Sequence, residues 1–158
     1  MPSWAEVTWA APELAAKVRS VLDGHKHKVI ATLRADGSPR VSGTELDFLA
    51  GEAWLGSMLG ALKARDLLRD PRLAIHCAPI DLELATPDVK LTGRAVVVED
   101  RELYEAARAA EGLPPAPPEE FHLFRIDITE VVRTSVVGDH LLIEAWNEAR
   151  GAWSFERR

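Results

Sequence analysis

The chain has 158 residues, of which 47% are hydrophobic and 28% charged, and this composition is typical of one globular domain. Its net charge of -6 argues against a nucleic-acid-binding protein, because phosphate backbones are bound by clustered positive charge. The single cysteine, Cys77, excludes an internal disulfide and is expected to be a buried thiol. Because the sequence shows neither a signal peptide nor an apolar run long enough to cross a membrane, we expect a cytoplasmic protein with one domain over residues 1–158.

The N-terminal part predicts an irregular lead, one helix and the first strand of a sheet. Residues 1–11 carry two tryptophans without a clear period, and Pro12 opens the helix, as proline does at a first helical position. Apolar residues then recur at helical spacing until Gly24 ends the helix. Alternating residues from Val29 to Leu33 indicate a strand.

Two further strands follow at short intervals. Asp36-Gly37 is a strong hairpin signal, and the second strand begins after Pro39, which cannot donate to a ladder and suits a strand start. The chain turns again at Gly51 and forms a third strand from Glu52 to Gly56. The pattern therefore predicts a meander of three antiparallel strands.

A charged helical segment comes next in the chain. Leu62 to Arg69 reads as a short amphipathic helix that stops before Pro71, since the residue before a proline avoids the helical conformation. Arg72 to Ala78 reads as the fourth strand, and His76 within it is expected to be a hydrogen-bonded structural histidine.

The remaining elements alternate strands with one helix and one stiff linker. Gly93 is expected to mark a bend or bulge in the longest of these strands. In chain order, the sequence predicts a loop from Ile80 to Asp88, a strand from Val89 to Glu99, a helix from Arg101 to Glu111, a polyproline-like linker at 114–118, one long or two short strands from Phe121 to Val137, a strand from His140 to Trp146 and a short tail strand from Gly151 to Phe155.

Many short antiparallel strands with a few helices predict a mainly β fold with peripheral helices, closed or nearly closed into a barrel. Closure hides strand edges that would otherwise pair with other chains. Runs such as Val96 to Val98 place apolar groups on both faces of the sheet, so part of the barrel exterior is expected to be covered. A second subunit would provide that cover, and we expect a homodimer.

The order of these elements resembles the pyridoxamine 5'-phosphate oxidase-like, flavin-binding split-barrel proteins. The resemblance rests on the hairpin, then G-x-x-W-L-G-S at 51–57, then K-A-R-D-L-x-x-D-P-R-L-A-I-H at 63–76. It implies a six-stranded antiparallel split β-barrel of Greek-key type and a homodimer with two cofactor sites at the interface. It also implies a cofactor, either flavin mononucleotide (FMN) or the deazaflavin coenzyme F-420.

The same resemblance implies where the cofactor phosphate is held, near the end of the third strand and the start of the following helix. Lys63 matches the family's phosphate-binding lysine, and a helix N-terminus offers unpaired N–H groups beside it. Many members carry an arginine where this chain has Leu62, and Arg65 is the residue that could supply that charge. The cofactor-binding candidates are Lys63, Ser57, Arg40, Ser42, Thr44 and Arg65.

Each candidate also has a plainer interpretation. Without the resemblance, Lys63 and Arg65 read as the solvated face of a short helix, and Arg40 reads equally well as a strand residue paired with a neighbour. Arg40, Ser42 and Thr44 have one parity in the second strand, so they share one face of it. Trp54 and Trp146 are expected to pack in the core or an interface.

The function that follows from the resemblance is an FMN-dependent oxidoreductase acting on a small molecule that the sequence does not identify. The reactive atoms belong to the flavin, so no catalytic side chain is predicted. The alternatives are a reductase that uses coenzyme F-420, and a non-catalytic protein that binds flavin or haem. A second phosphate-binding cluster for pyridoxamine phosphate is not evident, and the sequence shows no triad, Walker loop or metal-ligand spacing beyond His25 and His27.

Overall fold

The computed structural model describes residues 2–78, 83 and 85–158. Strands hold 47% of the chain, and within the described residues four helices lie around them. In order, the elements are α1 Trp4–Ala10, α2 Pro12–Asp23, β1 His27–Leu33, β2 Pro39–Glu45, β3 Asp47–Leu49, β4 Glu52–Met58, α3 Leu62–Arg69, β5 Arg72–Cys77, β6 Asp88–Val97, α4 Glu102–Ala110, β7 Phe121–Val137, β8 His140–Asn147 and β9 Gly151–Arg157.

The N-terminal segment is a helix, so the prediction of an irregular lead is wrong. Ser3 and Glu6 form a reciprocal capping box that satisfies two N–H groups at the start of α1. Trp4 is buried with its ring centroid 4.6 Å from that of Phe48 in β3. The apolar face of α1 is thereby held on the sheet. The helix predicted from Pro12 to Gly24 is confirmed, with Gly24 at its C-cap.

The predicted meander is interrupted at Leu46. Before that residue β2 forms a ladder with β1, and after it β3 pairs with β4 instead. The strand order is β2-β1-β5-β6-β7-β4-β3, and all neighbours are antiparallel. Because β2 and β3 are consecutive in the chain, both ends of this order belong to the same stretch of backbone. Counting β2 and β3 as one strand gives a six-stranded barrel, which confirms the predicted mainly β split-barrel class.

The long strand β7 joins the barrel to a hairpin extension. Its first part pairs with β4 and β6, and residues from Glu130 to Val137 pair with β8, which in turn pairs with β9. The register of β6 shifts at Gly93, as predicted. A Cβ there would lie 2.5 Å from the carbonyl oxygen of Asp127, so only glycine fits this close approach of two backbones.

Two clusters of buried side chains form the core. The larger one fills the barrel and extends under α1 and α2, and it includes Trp146 and the buried thiol of Cys77, as expected. The smaller one joins Trp54 of β4 to Tyr104 of α4. Of the loop predicted at 80–88, residues 80–82 and 84 lie outside the described residues, and Asp88 is already the first residue of β6. Within the described part of the chain, no helix is long and apolar enough to cross a membrane.

Candidate functional site

A cleft of about 770 Å³ opens between the β2–β3 segment, the β4–α3 junction and α4 with the proline-rich segment that follows it. Three of the six predicted cofactor-binding residues line this cleft, namely Ser57, Lys63 and Thr44. The other three, Arg40, Ser42 and Arg65, are absent from its lining. The fold therefore brings half of the predicted set together, and the two residues predicted at the phosphate end are among them.

Ser57 is the most informative side chain of the cleft. It lies near the end of β4, opposite His122 of β7, and is only 5% exposed. Its hydroxyl oxygen is buried and has no hydrogen-bond partner within the protein. A buried polar group without a partner is unfavourable, so such a group at the wall of a cleft indicates a position where a ligand atom binds.

The helix α3 begins beside Ser57 with its first turn uncapped. Ala61 occupies the N-cap position, and no side chain accepts a hydrogen bond from the first N–H groups of the helix. These groups point out of the helix end and carry the positive end of its dipole. An anion at this position would accept bonds from the backbone and from the Ser57 hydroxyl together.

Lys63 crosses from α3 to the strand on the other side of the cleft. Its Nζ donates to the carbonyl oxygen of Gly43 in β2, at 2.6 Å. Burial lowers the pKa of Lys63, and the nearby Glu45 opposes that effect. The interpretation of Lys63 as a freely solvated helix residue therefore does not describe this structure. A Cβ at Gly43 would meet nothing within 4 Å, so the backbone there leaves open space that a ligand can occupy.

Arg40 is engaged inside the protein. Its Nε donates to Asp66 of α3 at 2.6 Å, and Thr32 and Arg69 donate to the same carboxylate. Burial acts to raise the pKa of Asp66, but these hydrogen bonds outweigh it and lower that pKa to about 2. The β1–β2 register places Thr32 opposite Arg40 and Lys28 opposite Thr44. The shared face of β2 therefore lies on the same side of the sheet as the buried side chains of Thr32 and Lys28, and Arg40 there pairs with Asp66.

The outer surface beside the cleft is apolar. Leu62 is 53% exposed, and Met58 is 77% exposed. Leu62 is the position at which the resemblance led us to expect an arginine. Arg65 is exposed on the same helix but does not line the cleft. The charge that Arg65 was expected to supply is therefore not delivered to the cleft in this conformation.

The opposite wall of the cleft is formed by residues that the sequence did not single out. Tyr104 of α4 donates from its hydroxyl to Asp47 at 3.0 Å and packs against Trp54, with ring centroids 5.3 Å apart. Arg108 donates to the Tyr104 hydroxyl at 3.2 Å and to the carbonyl oxygen of Pro114. The i, i+4 spacing of Tyr104 and Arg108 on a predicted helix was the available signal.

The polar groups of this wall are bonded to one another. Burial, followed by the charge of Asp47, raises the pKa of Tyr104, so its hydroxyl stays protonated. Arg108 Nη1 lies 3.6 Å from the Asp47 carboxylate, which balances its charge. The two bonds from Arg108 to Pro114 fix the proline-rich segment over the cleft. The site as a whole can hold an anionic group at the α3 end and a flat group beside Trp54.

The comparisons with known proteins identify the family and the fold of the chain. Residues 14–134 match the family model described as pyridoxamine 5'-phosphate oxidase. No protein of curated function matches the sequence. Among solved structures, the chain is similar to a pyridoxamine 5'-phosphate oxidase-related, FMN-binding protein from Nostoc punctiforme, with 17% identity and a TM-score of 0.59 over 95% of this chain and 96% of that one.

Two other similar structures belong to proteins that are named for different cofactors. A heme-binding protein from Mycobacterium smegmatis is 18% identical, with a TM-score of 0.58 over 99% of this chain and 88% of that one. An F420 reductase is 19% identical, with a TM-score of 0.52 over 70% of this chain and 92% of that one. At these identities the likeness shows a shared fold, and the choice among cofactors has to come from the cleft itself.

Proposed function

Because this chain belongs to the pyridoxamine 5'-phosphate oxidase family, we propose that it binds FMN in the cleft and acts as a flavin-dependent oxidoreductase. The phosphate would lie at the N-terminus of α3, within reach of the Ser57 hydroxyl and Lys63. The flavin, when bound, supplies the hydride or electron transfer, and the protein supplies binding, orientation and exclusion of water.

The observation that carries this proposal is the unpartnered hydroxyl of Ser57 beside an uncapped helix end. A phosphate oxygen would give that hydroxyl an acceptor and would accept bonds from the first N–H groups of α3. The ammonium of Lys63, now on the Gly43 carbonyl, lines the same cleft and would add a compact positive charge. The residues present therefore fit the phosphate of FMN.

The charge of the cleft favours FMN over coenzyme F-420. The lining includes four carboxylate residues and three basic ones, which are Glu45, Asp47, Glu119 and Glu120 against Lys26, Lys63 and Arg108. A polyglutamyl tail would bring further negative charge into this surrounding and meet repulsion. FMN carries its charge at one end only, and that end has a matching site at α3.

The neutralised wall favours a substrate without a phosphate of its own. Arg108 and Tyr104 are the polar groups at the α4 side, and both are already bonded to Asp47. An incoming phosphate would have to approach that carboxylate or displace it. We therefore propose a small uncharged or weakly polar substrate beside Trp54 and Tyr104, rather than pyridoxamine phosphate.

We also propose that the protein is a homodimer with this face at its interface. Apolar side chains stand exposed on β2 and around the start of α3, with Val41 70%, Met58 77% and Leu62 53% exposed. Large apolar side chains exposed near a ligand cleft are typical of a subunit interface. A second copy would cover these side chains and close the open side of the cleft.

Titration of the apoprotein with FMN, followed by flavin fluorescence, tests the proposed site. We expect Lys63→Ala to weaken FMN binding about 10- to 100-fold, because hydrogen bonds to charged groups contribute about 1.5–3 kcal/mol. Arg65→Ala is the matched control, since it removes a cation from the same helix outside the cleft, and it should bind FMN as the wild type does.

The same titration separates the alternatives. Saturable binding of coenzyme F-420 or haem with no binding of FMN would overturn the cofactor assignment. Equal loss in Lys63→Ala and Arg65→Ala would overturn the site. FMN binding without turnover of any nicotinamide donor and acceptor pair would remove the oxidoreductase proposal and leave a flavin-binding protein.

A further inference from the structure

A second cluster of reactive side chains lies where β5 ends and β6 begins. His76 and Cys77 are the last two residues of β5, and Asp88 is the first residue of β6. Their ligand atoms, which are a ring nitrogen, the thiol sulfur and a carboxylate oxygen, all lie within 4.8 Å of one another. None of the three lines the cofactor cleft. We propose that His76, Cys77 and Asp88 form a binding site for a divalent metal ion of the zinc type.

The hydrogen bonds of His76 point to a metal-binding tautomer. Its Nδ1 bonds to the backbone carbonyl of Cys77, and a carbonyl only accepts, so Nδ1 carries the proton. In the neutral ring Nε2 is then a bare acceptor, and it lies 3.2 Å from the Asp88 carboxylate. Two acceptors at this distance need a proton or a cation between them. An Nδ1–H bond to a carbonyl is also the usual support of a metal-bound imidazole.

The thiol of Cys77 is held in a position suited to a third ligand. Its sulfur accepts a hydrogen bond from the backbone N–H of Val89 at 3.2 Å, which fixes its position. Burial raises the pKa of the thiol although this bond opposes it, so a bound metal ion has to displace the thiol proton. Lys28 stands opposite Cys77 in the β1–β5 register, but its ammonium donates to the carbonyls of His25 and Lys26. The lysine is thus engaged elsewhere.

The donor set decides which ion fits. Imidazole and thiolate with one carboxylate suit Zn²⁺ or Co²⁺ and are a poor set for Mg²⁺ or Ca²⁺, which prefer oxygen. Bond lengths of about 2.0–2.3 Å bring tetrahedral ligands to about 3.5 Å from one another. The side chains of His76 and Asp88 are partly exposed, so they can make the shift of about 1 Å that this requires.

Isothermal titration with Zn²⁺ and absorption spectroscopy with Co²⁺ on the full-length protein test the site. We expect one ion per chain, with a thiolate-to-cobalt charge-transfer band that Cys77→Ala abolishes. Asp88→Asn should weaken Zn²⁺ binding at least about tenfold. His140→Gln is the matched control, because His140 also lies beside two carboxylates, Asp139 at 3.1 Å and Glu156 at 3.3 Å, but without a thiol.

Three results would overturn the proposal. One is the absence of saturable Zn²⁺ binding, and another is a Co²⁺ spectrum without the thiolate band. The third is unchanged binding in Asp88→Asn, which would leave His76 and Asp88 as an ion pair bridged by a proton. If Cys77→Ala does not fold, Asp88→Asn still decides, because the Asp88 side chain is 44% exposed and its substitution leaves the core intact.

Discussion

Replacing Ser57 with alanine should have opposite effects on the empty and the loaded protein. In the apoprotein the hydroxyl is buried without a partner, and such a group costs about 1–3 kcal/mol. Ser57→Ala should therefore leave the free energy of unfolding unchanged or raise it by up to about 1 kcal/mol. In the complex the hydroxyl donates to a charged phosphate, a bond that contributes about 1.5–3 kcal/mol, so FMN should bind about 10- to 100-fold more weakly.

Two measurements on the same preparation give both quantities. Urea unfolding of the apoprotein, followed by tryptophan fluorescence, gives the free energy of unfolding. Titration with FMN gives the dissociation constant. Ser42→Ala is the control, because Ser42 lies on β2 outside the cleft lining and should not change FMN binding.

The reasoning fails if Ser57→Ala lowers the free energy of unfolding by more than about 1 kcal/mol while FMN binds as in the wild type. That combination would mean that the hydroxyl is bonded within the protein and faces no ligand. A loss of both stability and binding would instead indicate a packing role for β4.

Three further predictions concern the surroundings of the cleft. Burial acts to raise the pKa of Asp66, but its three hydrogen-bond donors outweigh burial and lower that pKa from 3.8 to about 2. At about 1.4 kcal/mol for each pKa unit, this shift contributes about 2.5 kcal/mol to the stability of the protein. Asp66→Asn should lose this amount in urea unfolding above about pH 4, and the difference from wild type should shrink as the pH falls through about 2 and vanish below it. Leu62→Arg should strengthen FMN binding about threefold to tenfold in a fluorescence titration, because it adds a cation at the phosphate end. Gly43→Leu should keep the fold by circular dichroism but weaken FMN binding more than about tenfold, since its side chain would enter the open space of the cleft.

The sequence predicted the barrel because its signals are local. Asp36-Gly37 forms the β1–β2 hairpin, Gly93 marks the bulge, and Pro12 begins α2 as expected. The first helix was missed although Ser3 and Glu6 have capping-box spacing, because α1 is only seven residues long and its apolar period is short. The break at Leu46 was missed as well, because the pairing partner of a strand is determined by residues distant in the sequence.

The candidate site was predicted where it rests on neighbouring elements. Ser57 lies one residue before the end of β4 and Lys63 is the second residue of α3, so both follow closely in the chain. Arg40 was predicted to bind the cofactor because it alternates with Ser42 and Thr44 on one face of β2. Its ion pair with Asp66 joins β2 to α3, and a contact between distant elements is not evident from the sequence pattern. The same holds for Asp47, which tertiary packing alone brings to Tyr104 and Arg108 of α4.

The ratio of the riboflavin and FMN dissociation constants tests the central claim most directly. Riboflavin lacks only the phosphate, so the ratio isolates the contribution of the α3 end of the cleft. We expect wild type to prefer FMN by about 100-fold or more, and Lys63→Ala to reduce that preference while riboflavin binds as before. A ratio near one in the wild type, or a ratio that Lys63→Ala leaves unchanged, would contradict the account.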